Sequence, residues 1–165
     1  MKSIIYSLFL FIILFNTVQS DEISGVPKVT DGDSILIGSK KIRLYGVDAP
    51  EIKQKCKKAF LTIMFVSFQK TYDCGLVSKK ALKNKINNKI INCKILSLDR
   101  YKRSLAICYI NKTDINMWMV KNGYAVAYKK YSKKYYFEEQ EAKDKRVGLW
   151  SGSFMEPEKW RRKYK

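Results

Sequence analysis

The chain has 165 residues, with 33 Lys plus Arg against 15 Asp plus Glu and no histidine, so its formal charge is +18. Such an excess asks for a polyanionic partner, nucleic acid or an anionic membrane surface; a coding bias towards Lys, Ile and Asn is the bland alternative. The lack of histidine excludes phosphodiester chemistry run by a histidine acid/base pair or a histidine-activated water, and leaves carboxylates, arginines and a hard metal ion.

Residues 1–20 read as a secretory signal: Lys2, an apolar stretch from Ile4 to Phe15, then Val18-Gln19-Ser20 at the cleavage position. Cleavage is expected before Asp21, with an uncleaved anchor as the alternative. A secreted or periplasmic, oxidising destination follows. Residues 21–165 then form a single domain with a basic C-terminal tail.

Ile23–Val29 and Ser34–Ile37 are short β-branched runs around Thr30-Asp31-Gly32-Asp33, the pattern of a hairpin turn. Lys40–Val47 alternates, placing Ile42 and Leu44 on one face and Arg43 and Tyr45 on the other, so Arg43 faces solvent when the apolar pair faces the core. This strand runs into Asp48-Ala49-Pro50-Glu51. An arginine fork beside two carboxylates suits a phosphate together with a hard cation or a general base; the alternative is a polar turn.

The run from Ala59 to Phe68 is strongly apolar and too short to span a bilayer. It is expected to be a short buried helix or strand, the alternative being a membrane-touching or partner-binding loop held by Cys56 and Cys74. A helix is predicted from about Gly75 to Asn87, with Leu76, Lys79, Leu82, Lys83 and Ile86 at helical spacing. Two strands follow, Lys89–Leu98 and Ser104–Ile110, joined by Asp99-Arg100-Tyr101-Lys102-Arg103. That turn offers charge for a phosphate and a ring for a base. Two of the chain's six arginines lie there, in a chain otherwise dominated by lysine. The four cysteines allow three pairings. Cys93 and Cys108 flank this turn nearly symmetrically, so a hairpin favours pairing them, and Cys56 then pairs with Cys74.

A second helix is predicted from a Thr113 or Asp114 cap to Gly123, with Ile115, Trp118 and Met119 inward. A third runs from about Ser132 to Gly148, with Glu139 and Glu141 each four residues before a lysine. Leu149 and Trp150 close the core, and Phe154–Lys165 is a basic tail whose Trp160 packs back. The order predicts an α+β fold. It is a five-stranded β-barrel of the oligonucleotide-binding type, with one helix between strands three and four and two C-terminal helices.

Asp31-Gly32-Asp33-Ser34, the stretch from Arg43 to Glu51, Asp99 to Ala106 and Gly148-Leu149-Trp150 stand in an order that resembles the thermonuclease family, the staphylococcal nuclease-like secreted nucleases. The resemblance covers most of Asp31 to Trp150. It implies calcium-dependent hydrolysis of DNA and RNA by water, without a covalent intermediate. It places calcium on Asp33, Asp48 and the carbonyl of Ala49, and makes Glu51 the base or the residue that positions water. It sets Arg43 and Arg103 on the scissile phosphate, Arg100 and Tyr101 on the terminal phosphate and base, and Tyr128 near the stacking ring. Lys102 stands where the family's turn commonly has glycine, so a strained or altered turn is expected.

A noncatalytic oligonucleotide-binding barrel is the rival, and it needs no carboxylates beside the phosphate. A cationic membrane-surface protein is a third reading, resting on charge and on residues 59–68 alone. The chain is expected to act as a monomer without an obligate protein partner.

Overall fold

The structure, a computed structural model, describes residues 21–64 and 66–164, so the expected signal segment lies outside the described residues. The first extended run is divided by Val26-Pro27 into β1 (Glu22–Gly25) and β2 (Lys28–Asp31), since proline cannot donate to a ladder. After the Gly32-Asp33 turn come β3 (Ser34–Ile37), β4 (Lys40–Leu44) and the two-residue β5 (Val47–Asp48). A hairpin of β6 (Cys56–Ile63) and β7 (Val66–Tyr72) leads into α1 (Cys74–Ile86). Next are β8 (Ile91–Leu98), β9 (Ser104–Ile110), the short β10 (Thr113–Asp114) and α2 (Ile115–Lys121). β11 (Val126–Ala127), α3 (Tyr136–Asp144), a 3-10 turn (Gly148–Ser151), β12 (Gly152–Ser153) and α4 (Pro157–Tyr164) complete the chain.

The main sheet runs in the order β1-β8-β9-β4-β3-β2. β9 lies parallel to β4, with Ile42, Arg43 and Leu44 opposite Ser104, Leu105 and Ala106. The two ends of this path, β1 and β2, are halves of one extended run, so the sheet is curled on itself. The architecture is α+β and of the oligonucleotide-binding type. Alternation sends Ile35, Ile37, Ile42 and Leu44 into a core shared with Leu82, Ile86, Ile115, Met119 and Val120. Each such aliphatic side chain contributes roughly 1.5–3 kcal/mol by leaving water. The alternate face of β4 is thereby left to Arg43.

Three regions depart from the sequence reading. Among the described side chains of the apolar run at 59–68, Phe60, Met64 and Phe68 are 66%, 86% and 46% exposed on the β6–β7 hairpin, against the expected burial. Among the described residues its strands pair with each other and with β12, in a sheet separate from the main one. The hairpin is tied at its base by the Cys56–Cys74 disulfide. In α1 the inward face carries Gly75, Ser78, Ala81 and Leu82, whereas Leu76 is exposed, because the helix start packs against the Glu51 backbone. The basic tail contains a helix beyond the two expected. Pro157 opens α4, and Arg161, Arg162 and Lys163 in its last turn complement the helix dipole.

Of the remaining elements, the Cys93–Cys108 hairpin and the α2 cap agree with the reading, whereas the main sheet has seven strands where five were expected and α3 is shorter than expected. Cys93 faces Cys108 across the β8–β9 hairpin and is bonded to it. Asp114 caps α2, accepting from the backbone N–H of Met117 at 2.9 Å. α3 starts at Tyr136 rather than Ser132, whose hydroxyl instead accepts from the Lys134 N–H in a local turn. It ends at Asp144, and Arg146 at φ +50° turns the chain out before Gly148.

Candidate active site at the Arg43 face of the barrel

The β2–β3 turn sets Asp33 and the β4–β5 connection sets Asp48, both almost fully buried. The Asp33 carboxylate accepts from the Ser34 hydroxyl at 2.8 Å and from the Ala49 N–H at 3.2 Å. Its turn is pressed against α1: a Cβ on Gly32 would meet the Ser78 Oγ at 2.2 Å and the Ala49 Cβ at 2.7 Å. Arg43 reaches from the neighbouring strand and divides its fork, one nitrogen 3.0 Å from Asp33 Oδ2 and the other 2.8 Å from Asp48 Oδ1. Far from facing open solvent, its side chain is 13% exposed.

A second guanidinium, from the segment expected to be a basic tail, enters from α4. Arg161 donates to Asp48 Oδ1 at 2.9 Å, to Asp48 Oδ2 at 3.0 Å and to Glu51 Oε1 at 3.0 Å. Trp160-Arg161-Arg162 carried a usable signal, since it too chooses arginine in a chain dominated by lysine. Nothing in the sequence pointed from residue 161 to residues 48 and 51.

Asp33, Asp48 and Glu51 are met here by Arg43 and Arg161, and Asp31 lies near enough to feel the charges of Asp33, Glu51 and Lys79, so four acids face three cations and a formal surplus of negative charge remains. Burial, and then the Asp33 charge, push the Asp31 carboxyl up to about 6. Burial also raises Asp48, and the Arg161 hydrogen bond only partly offsets it. For Arg43, burial pulls downward but the charges of Asp33 and Asp48 outweigh it, so the guanidinium is held more firmly protonated. An all-oxygen donor set with surplus negative charge fits a hard divalent cation such as calcium, which takes carboxylate, carbonyl and water oxygens together. Among the described residues no three acidic side chains stand close enough to enclose an ion by themselves. Backbone and water oxygens would therefore complete such a shell. Ala49, expected to offer its carbonyl, adjoins Asp48 and uses its N–H on Asp33.

Tyr128 follows β11, which pairs with β5 so that Val126 lies opposite Asp48. Its ring faces both arginines, 5.9 Å from the Arg43 guanidinium carbon and 6.0 Å from that of Arg161. The structure therefore gathers Asp33, Asp48, Ala49, Arg43, Glu51 and Tyr128 in one place. Arg100, Tyr101 and Arg103 make their contacts within the β8–β9 turn. Arg103 pairs with Asp99 at 2.7 Å, and the Tyr101 ring, 65% exposed, lies 4.8 Å from the guanidinium of Arg100 and 5.6 Å from that of Arg103. In the parallel register Ser104, the residue after Arg103, lies opposite Ile42, the residue before Arg43.

A curled α+β barrel that presents carboxylates and arginines on one face defines a class of phosphate-handling proteins. Residues 41–152 match the family model described as "Staphylococcal nuclease homologue". The chain is 36% identical to an uncharacterised endonuclease of Haemophilus influenzae, over 96% of this chain and 83% of that protein. It is 32% identical to the micrococcal nuclease of Shigella flexneri, over 83% of this chain and 79% of that one. A rice protein named as a staphylococcal-like nuclease is 33% identical over 79% of this chain and 30% of its own length. The chain belongs to the staphylococcal nuclease family and is a nuclease, which decides against the noncatalytic barrel.

Proposed function

We propose that this chain is an exported, calcium-dependent, single-domain phosphodiesterase that hydrolyses DNA and RNA by direct attack of water. The observation that carries the reading is the convergence of Asp33 and Asp48 on the fork of Arg43, with Glu51 joined to Asp48 through Arg161. When bound, calcium supplies Lewis acidity towards a phosphoryl oxygen, and Asp33, Asp48 and the Ala49 carbonyl are the groups to hold it.

The side chains do the rest. Glu51 is partly exposed at the edge of the cluster, and it takes a proton from the attacking water or fixes its direction. Arg43 and Arg103 donate to the scissile phosphate and oppose the charge that grows on its oxygens. Arg43 is pre-aimed by two acids, and Arg103 by Asp99. Arg100 serves a terminal phosphate, while Tyr101 and Tyr128 offer faces on which bases stack. Stacking tolerates any base, which suits an enzyme that accepts both nucleic acids. Two disulfides support export to a secreted or periplasmic, oxidising compartment.

The test is cleavage of single-stranded DNA and RNA in calcium and in chelator, with Glu51→Gln and Arg103→Ala alongside. Cleavage is expected only in calcium, with both variants slowed by at least a hundredfold. Undiminished cleavage in chelator would sink the calcium mechanism.

A further inference from the structure

The C-terminal helix is fastened to the site at several independent points. Pro157 is buried at its start, Glu158 pairs with Lys130 at 3.1 Å, and the Arg161 guanidinium carbon lies 6.0 Å from the Tyr128 ring. Just before the helix, the Met155 carbonyl accepts from Gln54 Nε2 at 2.6 Å. Gln54 is fully buried, and its other side-chain atom, Oε1, accepts from the Glu51 N–H at 3.3 Å. The same glutamine thus joins the backbone of Glu51 to the root of α4. A tail folded down for surface coverage alone would have no reason to share this link.

Arg161 completes the connection through side chains. Its three N–H bonds fall on two carboxylates, and it is 19% exposed. Within the described residues, the side-chain hydrogen bond that fixes Glu51 comes from Arg161. Asp48, by contrast, is also held by Arg43. Loss of Arg161 would therefore leave Asp48 anchored but release Glu51 to rotate towards solvent.

We propose that Arg161 is a positioning residue for hydrolysis: it holds the Glu51 carboxylate against Asp48, so that α4 completes the active site. The proposal rests on Glu51 acting on water. A planar fork suits this task because it bridges two carboxylates in one plane, which a single ammonium cannot do. Reaction geometry held to a fraction of an ångström by such a neighbour affects turnover more than ground-state binding.

A double-mutant cycle tests it. Arg161→Gln is expected to lower kcat by roughly ten- to a hundredfold with KM changed less than about threefold. Deleting residues 157–165 should reproduce the same loss, and Arg161→Lys should recover part of it. On a Glu51→Gln background, Arg161→Gln should cost less than about twofold more, because its effect passes through Glu51. Melting temperatures in chelator give a readout without turnover: the double variant should fall by less than the sum of the two single variants. Additive rate losses, additive melting shifts, or a wild-type kcat in Arg161→Gln would each overturn the proposal. Full activity of Glu51→Gln would instead remove the assignment of Glu51 beneath it. Circular dichroism on every variant separates these outcomes from misfolding.

Discussion

Asp99 accepts from the backbone N–H of Arg103 at 2.9 Å and from its guanidinium Nε at 2.7 Å, so one carboxylate shapes the turn and aims the arginine leaving it. Lys102 sits between them at φ +61°, the left-handed conformation that glycine adopts freely. The turn closes with Lys102 N–H on the Asp99 carbonyl and Asp99 N–H on the Arg103 carbonyl, both at 2.9 Å. The turn therefore keeps a position that suits glycine, and the strain falls on the lysine backbone. A left-handed L-residue costs roughly 1–2 kcal/mol, against which glycine loses more backbone entropy on folding. Lys102→Gly is expected to stabilise the fold by about 0.5–1 kcal/mol with kcat within twofold. Urea denaturation checks the sign, and destabilisation would show that the lysine side chain supports the turn.

The two arginines expected on the phosphate stand in different surroundings, and their loss should separate accordingly. Arg43 lies 13% exposed between Asp33 and Asp48, which are 6% and 1% exposed. Arg103 and Asp99 are 26% and 13% exposed. Removing one partner of a buried ion pair typically costs about 3–5 kcal/mol, because it strands the other charge. Arg43→Ala is therefore expected to lose about 3 kcal/mol of stability as well as at least a hundredfold in rate. Arg103→Ala should lose a similar rate but only about 1 kcal/mol. Denaturation midpoints and initial rates on one oligonucleotide distinguish them, and equal stability losses would contradict the contrast.

The Cys56–Cys74 bridge closes a loop of sequence separation 18 and ties the hairpin base to the first residue of α1. That end of α1 lies against the site, since a Cβ on Gly75 would fall 1.8 Å from the Glu51 carbonyl oxygen. By loop entropy the bridge contributes roughly 3 kcal/mol. Replacing both cysteines by serine should lower stability by about that amount, with activity preserved below the melting transition. An unchanged melting temperature would mean that residual structure in the unfolded chain already restrains this loop.

Much of this was legible in short-range pattern. Alternation placed Arg43 opposite Ile42 and Leu44, symmetry about the 99–103 turn paired Cys93 with Cys108, and the Asp114 cap marked the start of α2. Two features were not. Apolar content at 59–68 implied burial, but burial depends on whether a segment joins the main sheet, and a hairpin paired in a separate sheet does not. Arg161 meets Asp48 across 113 residues, and no periodicity or spacing records a contact of that separation. The phosphate and carboxylate residues lay in local motifs, whereas the group that orders Glu51 came from tertiary structure alone.

Glu139 is a buried carboxylate whose charge supports the connector carrying Tyr128. It accepts from the Ala127 N–H at 3.2 Å, from Lys129 Nζ at 2.8 Å and from Lys143 Nζ at 2.9 Å. Burial raises its pKa, but the hydrogen bonds from Lys129 and Lys143 outweigh burial and hold it below the ordinary 4.5. In that range the folded protein binds fewer protons than the unfolded chain, so this contribution to stability is full above the ordinary value. It is lost as pH falls through the depressed folded value. Both lysines are partly exposed, which limits the penalty when their partner becomes neutral. Glu139→Gln is expected to cost about 1–2 kcal/mol at pH 7. Its denaturation curve should approach that of wild type as pH falls below the ordinary 4.5 and through the depressed folded value. A deficit that stayed constant down to pH 3 would assign the loss to packing at β11 rather than to the charge of Glu139.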